Sequence, residues 1–292
     1  MLGTILTAMV TPFGDDLRVD EAAAARLAHH LVEHGSDGLV IAGTTGEAST
    51  LGDEEQAGLV RLAVREVGGG RATVVAGTGT NDTAHSVHLT RLCAEAGADA
   101  ALVVTPYYNR PPREGIVAHM AAIADVGLPV IVYNIPSRTT VNMPPDLIAE
   151  LAGIPGIVAV KQANPDPGEL RQVLQTPLAV YAGNDDMLLS VMEQGGAGII
   201  SVASHLVGEE MAAIADDARR GDVEDARRRD AALAELYAAL FVTTSPILIK
   251  AALEMTGLIP SARLRLPLVE ATPVQRDILR TVLERRGILS RA

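Results

Sequence analysis

The amino-acid sequence predicts an α/β protein, a (β/α)8 TIM barrel with a C-terminal helical extension. Eight short runs are apolar on consecutive residues, as in strands that are buried on both faces of a parallel sheet. Amphipathic segments alternate with these runs, and eight such units can close into a barrel. After Val202 the strand pattern stops. The runs cover residues 5–10, 38–42, 72–76, 100–104, 129–133, 157–161, 178–182 and 198–202.

The segments between the runs carry helix signals. Asp20, Asp53 and Thr83 are residue types that cap helix N-termini, and Gly35 and Gly97 stand where two of the helices should end. An open doubly wound sheet is the alternative fold, but no GxGxxG motif follows the first run. The predicted barrel helices cover residues 20–34, 54–67, 83–96, 114–125 and 144–151.

The last part of the chain contains helix signals without strand signals. The final three of its predicted helices exceed what one barrel helix requires. We therefore predict that residues 1–220 form the catalytic barrel domain and that residues 221–292 form the C-terminal helical extension. The predicted helices here cover residues 209–219, 223–240, 246–256 and 273–286.

Composition excludes several classes of function. The formal net charge is -12, whereas a nucleic-acid-binding protein usually has a basic face. Cys93 is the only cysteine, so no internal disulfide can form, and no Cys/His cluster indicates zinc. No apolar run approaches the ~20 residues of a membrane helix, and the N-terminus lacks the cationic segment of a signal peptide. We expect a cytoplasmic protein without a metal site that binds neither nucleic acid nor membrane.

Lysine is rare in this chain. Lys161, at the end of the sixth run, and Lys250 are the only two. In a barrel of this class the C-terminal ends of the strands carry the chemistry. A free lysine has a pKa of about 10.4, and burial on an apolar strand lowers that pKa because it disfavours the ammonium form. The neutral amine can then form a Schiff base with a ketone or an aldehyde, which makes Lys161 the candidate nucleophile.

Other polar side chains are predicted at the same strand ends, around one pocket with Lys161. A tyrosine in that pocket could transfer protons. The Gly-Thr-Thr-Gly sequence at residues 43–46 offers N–H groups and hydroxyls to a carboxylate, and Arg138 could bind a second carboxylate. Four of the five tyrosines belong to this set, namely Tyr107, Tyr108, Tyr133 and Tyr181.

Structural alternatives exist for several of these residues. Lys161 could pair with an acidic residue, and Thr44 and Thr45 could only cap the next helix. Lys250 is predicted to be an exposed charge on a helix face. The acidic pair at residues 185–186 fits helix capping better than metal binding.

Seven motifs are spread over most of the chain: TAMVTPF at 7–13, GTTGE at 43–47, GTGTNDT at 77–83, TPYYNRPP at 105–112, YNIPSRT at 133–139, AGNDD at 182–186 and GIISVASH at 198–205. Together with the strand lysine they resemble the pyruvate-dependent class I aldolase superfamily of dihydrodipicolinate synthase and N-acetylneuraminate lyase. The second threonine of GTTGE and the arginine of YNIPSRT favour the synthase branch, because sialic acid lyases typically carry GSTGE and lack this arginine.

The resemblance implies an activity and an assembly. It implies a lyase that condenses pyruvate with aspartate-4-semialdehyde to 4-hydroxy-tetrahydrodipicolinate, at the start of lysine and diaminopimelate biosynthesis. It implies no metal or organic cofactor, because the lysine itself is the electron sink, and usually a homotetramer built as a dimer of dimers. Two alternatives stay open. One is another pyruvate-dependent Schiff-base aldolase or lyase acting on a keto-deoxy sugar acid or an N-acetylneuraminate-like substrate, and the other is a non-enzymatic paralogue.

The resemblance also implies roles for individual residues. Lys161 matches the Schiff-base lysine, and Tyr133 matches the tyrosine that donates and accepts protons. Thr44 and Tyr108 match its partners in a hydroxyl relay, with Tyr108 expected from a neighbouring subunit. The implied substrate-binding residues are Thr45 and Ile200 at the pyruvate site, Arg138 at the carboxylate of the semialdehyde, and Gly183 at the end of the seventh strand.

Some positions depart from the family pattern. KEATG is common after the lysine strand, where this chain has KQAN at residues 161–164. At the feedback-lysine site, Asp53 and Gln56 stand where inhibited bacterial members carry histidines, and His85 replaces a glutamate. We predict little inhibition by lysine, because the loss of that carboxylate weakens the binding of an ammonium ligand.

Overall fold

Eight parallel strands form a closed barrel in the computed structural model, which describes residues 2–290. Each strand pairs with its neighbours in sequence, and the last strand pairs with the first, so the barrel has no open edge. The predicted (β/α)8 TIM barrel with C-terminal helices is confirmed. The strands are β1 (Ile5–Ala8), β2 (Gly38–Ile41), β3 (Thr73–Gly77), β4 (Ala100–Val104), β5 (Val130–Asn134), β6 (Ile157–Gln162), β7 (Ala179–Ala182) and β8 (Gly198–Ser201).

Helices connect the strands and cover the outside of the barrel. Asp20 caps the first helix as predicted, since its carboxylate accepts a hydrogen bond from an N–H of the first turn. Asp53 and Thr83 are instead the first residues of their helices, because Gly52 and Asp82 occupy the cap positions. The barrel helices are α1 (Glu21–Glu33), α2 (Asp53–Val67), α3 (Thr83–Glu95), α4 (Arg113–Ala124), α5 (Pro136–Thr139), α6 (Pro145–Leu151), α7 (Pro167–Val173), α8 (Leu188–Glu193) and α9 (Ser204–Arg220).

Three further helices form the C-terminal extension: α10 (Val223–Leu240), α11 (Ile247–Met255) and α12 (Pro273–Arg285). The preceding helix α9 ends before Gly221, which adopts a left-handed φ of 82° that suits glycine. Helix α10 packs on α9 and α12, and α11 packs on α9 and α12 as well. The domain boundary between residues 220 and 221 stays a prediction. Within residues 2–290, no helix is both long and apolar enough to cross a membrane.

Alternate side chains of the strands fill the barrel interior. Most of this interior is apolar, so a charged group placed there loses its hydration. Tyr133 of β5 is one of these inward-facing residues. Lys161 of β6 lies between two others, Ala159 of the same strand and Ala163, which directly follows the strand. The inward-facing apolar residues include Leu6, Val40, Val75, Leu102, Ile131 and Ile200.

Tyr181 does not join the group at the C-terminal strand ends, so that part of the prediction is wrong. Its ring is buried in the barrel, and its hydroxyl donates a hydrogen bond of 3.0 Å to the backbone oxygen of Gly3, ahead of β1. The side chain therefore points to the N-terminal end of the barrel. Burial raises the pKa of Tyr181 to about 12. The position of a residue in a strand does not by itself fix the direction in which a long side chain extends.

Lys250 is not an exposed charge on a helix face, and this prediction is also wrong. Helix α11 is buried on every side between Ile247 and Leu253, because it packs between the barrel and the other helices of the extension. The side chain of Lys250 has no exposed area, and its Nζ lies 2.7 Å from Oε1 of Glu47. The ion pair with Glu47 is what makes this burial tolerable.

Candidate active site

Lys161 occupies the C-terminal end of β6 and points into the barrel. Side chains alternate along the strand, so Val160 packs outward against the helices, while Ala159 faces inward. Lys161 is only 6% exposed, and its Nζ lies 4.3 Å from the centroid of the Tyr133 ring. The amine is therefore held in a confined, largely apolar space at the end of the barrel where substrates bind in this fold.

The environment of Lys161 favours the neutral amine. Burial lowers the pKa of Lys161 to about 7, while the carboxylate of Asp185 opposes this shift and the guanidinium of Arg138 adds to it. At such a pKa about half of the molecules carry a neutral amine at neutral pH, compared with roughly one in 3,000 for an ordinary lysine. The reactive form is thus abundant without any external base.

Asp185 lies near Lys161, but its carboxylate is engaged by other groups. Oδ1 accepts hydrogen bonds from the Ser201 hydroxyl (2.6 Å) and the Val202 N–H (3.1 Å), and Oδ2 accepts one from the Ala203 N–H (3.0 Å). The two N–H donors lie between β8 and α9, so Asp185 fixes this connection, and the helix-capping interpretation of residues 185–186 stays a prediction. Among residues 2–290, no group of three or more His, Cys, Asp or Glu side chains is placed to hold a metal ion.

Tyr133 stands beside Lys161 on β5, where the strand register places the two residues opposite each other. The side chain is buried, and burial raises the pKa of Tyr133 far above its usual value, against a weaker opposing effect of Arg138. The phenol therefore stays protonated at neutral pH. It can donate a hydrogen bond or a proton to a molecule that reacts at the neighbouring amine.

The segment 43–47 after β2 supplies two threonines to the same end of the barrel. The segment turns tightly: Glu47 adopts a left-handed φ of 58°, and a Cβ on Gly46 would approach the backbone of Ala42 to 3.1 Å. The N–H of Glu47 donates to the Thr44 carbonyl oxygen (3.1 Å) and closes the turn. The turn leaves several N–H groups and both threonine hydroxyls near the strand ends.

A cavity of about 150 Å³, here called the lysine cavity, opens at the Lys161 amine. A Cβ on Gly183 would lie 2.6 Å from the Cβ of Ala163, so glycine lets β7 end close to the lysine strand. The volume suits a molecule of a few heavy atoms. Six of the eight predicted site residues line it, namely Thr44, Thr45, Tyr133, Arg138, Lys161 and Gly183.

Arg138 lies on the short helix α5, just beyond the end of β5. It is exposed, and its Nη1 donates a hydrogen bond of 3.2 Å to Oγ1 of Thr244. A second cavity of about 220 Å³, the outer cavity, shares Arg138, Thr44 and Tyr133 with the lysine cavity and is also lined by Tyr107. The guanidinium thus stands where a second substrate could approach the amine.

Two predicted site residues line neither cavity within a single chain. Tyr108 is 89% exposed and adopts a left-handed φ of 72°, a conformation that costs a non-glycine residue about 1–3 kcal/mol. Ile200 is buried in the barrel interior, in the same apolar cluster as Tyr133. Tyr108 therefore projects away from the lysine of its own chain.

Some of the other lining residues carry no signal that sequence reasoning could use. Two of them, Phe241 and Ser245, come from the connection between α10 and α11, so the C-terminal extension forms part of the cavity wall. Their proximity to Lys161 depends on tertiary packing between distant segments. Ser137 and Asn184 also line the cavity, but they lie within the motifs YNIPSRT and AGNDD at predicted strand ends.

A buried polar network fixes the ends of β5 and β6 on the outside of the barrel. The Asn134 amide donates to Gln162 Oε1 (2.9 Å) and to Asn142 Oδ1 (2.8 Å). The Asn164 amide donates to Glu169 Oε2 (2.8 Å), and its backbone N–H donates to Gln162 Oε1 (3.2 Å). Gln162 and Asn164 are departures from the family pattern; both belong to this network, and neither lines the lysine cavity.

Comparisons with known proteins agree with the barrel fold of this chain. A model of the dihydrodipicolinate synthetase family matches residues 1–286. A protein of Moorella thermoacetica named 4-hydroxy-tetrahydrodipicolinate synthase is 47% identical over 291 residues, which cover 98% of this chain and 99% of the relative. The crystal structure of DHDPS from Cyanidioschyzon merolae with lysine bound has a TM-score of 0.96 at 39% identity, covering 99% of both chains. A dihydrodipicolinate synthase from Acinetobacter baumannii complexed with pyruvate has a TM-score of 0.95 at 36% identity, covering 99% of this chain and 100% of the other.

The lowered pKa of Lys161 predicts how adduct formation depends on pH. The rate at which pyruvate forms an imine, trapped by cyanoborohydride and followed by mass spectrometry, should rise with pH through about 7 and then level off. The sign follows because the amine attacks only when neutral, and its neutral fraction increases as pH passes the pKa. A rate that still rises above about pH 9 would indicate an ordinary lysine.

Proposed function

Because this chain belongs to the dihydrodipicolinate synthetase family, we propose that it condenses pyruvate with aspartate-4-semialdehyde to give 4-hydroxy-tetrahydrodipicolinate. The observation that carries the proposal is the buried amine of Lys161, with its pKa lowered to about 7 beside the protonated phenol of Tyr133. The protein is then a class I, Schiff-base lyase of lysine and diaminopimelate biosynthesis. Its electron sink is the lysine imine.

In the first half of the reaction, Nζ of Lys161 attacks C2 of pyruvate to form a carbinolamine. Tyr133 donates a proton to the leaving hydroxyl, water departs, and an iminium remains. In this proposal Thr45, which lines the lysine cavity, and N–H groups of the segment 43–47 bind the pyruvate carboxylate. The iminium withdraws electrons from C3, which loses a proton and becomes the nucleophilic carbon of an enamine.

In the second half, the enamine carbon attacks the aldehyde carbon of the semialdehyde, and the aldehyde oxygen takes a proton. Arg138, at the shared edge of the lysine cavity and the outer cavity, binds the carboxylate of the semialdehyde in this proposal. The amine of the semialdehyde then displaces Nζ of Lys161 from the iminium carbon. The cyclic product leaves, and the free lysine is restored.

The proton relay in this proposal requires a second chain. Thr44 stands at the mouth of the lysine cavity, where its hydroxyl can exchange a proton with Tyr133. Tyr108, which projects from its own chain, would enter the site of a neighbouring subunit and complete the relay. Ile200 is assigned to the apolar wall of the pyruvate site. A homotetramer built as a dimer of dimers and a cytoplasmic location belong to the same proposal.

The proposed function is tested by comparing two substrate classes and one substitution. Wild-type protein should turn over pyruvate with aspartate-4-semialdehyde and should not cleave keto-deoxy sugar acids or N-acetylneuraminate. Lys161→Ala should lower kcat by roughly a thousand-fold or more and give no trapped pyruvate adduct at the active site, because Lys250, the other lysine, does not line the lysine cavity. Faster cleavage of a sugar acid than condensation would favour the alternative aldolase, and a wild-type protein without any adduct would favour a non-enzymatic paralogue.

Arg138 offers a test of how the second substrate binds. Arg138→Leu should raise the KM for the semialdehyde about ten- to a hundred-fold, the equivalent of losing a charge-assisted hydrogen bond worth about 1.5–3 kcal/mol. The pyruvate concentration that gives half of the maximal trapped adduct, here called half-saturation by pyruvate, should change much less. Arg228→Leu, which removes an exposed arginine paired with Asp225, serves as the matched control. Equal effects on both substrates would contradict this assignment.

Weak feedback inhibition by lysine, at the position of Asp53 and His85, is the remaining proposal. Asp53 is engaged by His85 (2.9 Å to Nε2) and lies 3.4 Å from Nε2 of His88, so the position carries two histidines around one carboxylate. Free lysine should therefore inhibit turnover only weakly, and His85→Glu should increase its effect because it adds a carboxylate for the ammonium group. A sub-millimolar inhibition constant for lysine in the wild type would refute the proposal.

A further inference from the structure

The second lysine of the chain forms a fully buried ion pair with the segment that carries the two threonines. Nζ of Lys250, on α11 of the C-terminal extension, donates to Oε1 of Glu47 at 2.7 Å. Their side chains are 0% and 1% exposed, respectively. The free-energy cost of removing both charges from water offsets much of the electrostatic attraction in such a pair. The pair therefore contributes little to the stability of the fold.

Each charged group of the ion pair also forms a hydrogen bond with a backbone group of another segment. Lys250 Nζ also donates to the carbonyl oxygen of Thr11 at 2.9 Å and lies 4.3 Å from the centroid of the Phe13 ring. Glu47 Oε2 accepts a hydrogen bond of 3.1 Å from the backbone N–H of Arg265. Both carboxylate oxygens and the ammonium group are thus fixed in position by elements outside the segment 43–47.

Arg265 extends this attachment to the next turn of the chain. Its guanidinium forms two hydrogen bonds with the Glu55 carboxylate (2.6 and 2.7 Å) and donates to the Thr50 carbonyl oxygen (2.7 Å). On its other side it lies 4.5 Å from the Phe13 ring. The C-terminal extension therefore holds the chain at Glu47 and again three residues later.

Glu47 is the residue through which the ion pair can act on Thr44 and Thr45. It adopts a left-handed φ, which a residue with a side chain keeps only when its surroundings impose it. Its N–H donates to the Thr44 carbonyl oxygen (3.1 Å), and the Thr11 hydroxyl donates to the Gly46 carbonyl oxygen (2.7 Å). A shift of the Glu47 carboxylate would thus be passed directly to Thr44 and Thr45.

We propose that Lys250 and Glu47 are positioning residues that set Thr44 and Thr45 for pyruvate, so that the C-terminal extension governs binding of the first substrate. The inference rests on the proposed function. Neither Lys250 nor Glu47 lines the lysine cavity or the outer cavity. Their effect passes through the turn at residues 43–47, and it falls on the pyruvate carboxylate more than on the semialdehyde.

The test measures pyruvate affinity without the second substrate. Half-saturation of the cyanoborohydride-trapped adduct is determined for wild type and for the double variant Glu47→Gln/Lys250→Met, which leaves no unpaired buried charge. Half-saturation should rise about ten-fold in the double variant, as expected for a catalytic group displaced by a fraction of an ångström. Far-ultraviolet circular dichroism and thermal melting confirm that the variant is folded at the assay temperature.

A matched control removes a different ion pair of the same extension. Glu254 and Arg276 join α11 to α12 at 2.5 Å and do not contact the segment 43–47. Glu254→Gln/Arg276→Met should lower the melting temperature but leave half-saturation by pyruvate within about two-fold, since the positioning network is intact. A rise as large as that of the Glu47/Lys250 variant would mean that general loosening explains both, and the proposal would be overturned.

A conservative variant keeps the proposal testable if the double variant does not fold. Glu47→Asp retains both charges but shortens the side chain by one methylene, so the turn must move toward Lys250 or the pair must lengthen. Half-saturation by pyruvate should rise in the same direction, about three-fold or more. Wild-type half-saturation in folded Glu47→Asp would overturn the positioning role. Absence of any adduct in the wild type would instead refute the proposed function itself.

Discussion

The proposed chemistry depends on burying the side-chain amine of Lys161 away from water. Lys161 extends into a barrel interior that is apolar over most of its length, and burial there lowers its pKa to about 7. A closed sheet provides such an interior because each strand is paired on both sides, and half of its side chains point to the axis. The strand end then presents the amine to the cavity while the rest of the strand stays buried.

The two buried lysines differ in the partners of their amines. Burial lowers the pKa of Lys250 as well, but the carboxylate of Glu47, 2.7 Å from its Nζ, opposes this shift, and the Thr11 carbonyl accepts a second hydrogen bond. Near Lys161 the available carboxylate is Asp185, whose oxygens are engaged by Ser201 and by backbone N–H groups. One lysine is therefore suited to nucleophilic chemistry and the other to holding a turn.

Much of the barrel and much of the site could be predicted from local sequence. Buried parallel strands produce consecutive apolar residues, and a lysine that ends such a run must lie at the catalytic face. Contacts between residues that are far apart in the sequence produce no local sequence pattern. The apolar residues that surround Lys250 in ILIKAALEM are typical of a buried helix, but no local signal identifies Glu47 as the partner of Lys250. Nothing near Phe241 indicates that it would line the lysine cavity. The direction of Tyr181 depends on a carbonyl group far away in sequence, at Gly3.

The charge state of Lys161 can be measured directly, because the chain has only two lysines. Protein labelled with ¹³C at the lysine ε-carbon should give two signals in a heteronuclear NMR pH titration. One signal, absent in Lys161→Ala, should titrate with a midpoint near pH 7, because the uncharged form dominates above that value. If that signal shows a fully protonated amine up to about pH 9, the account of the site is wrong.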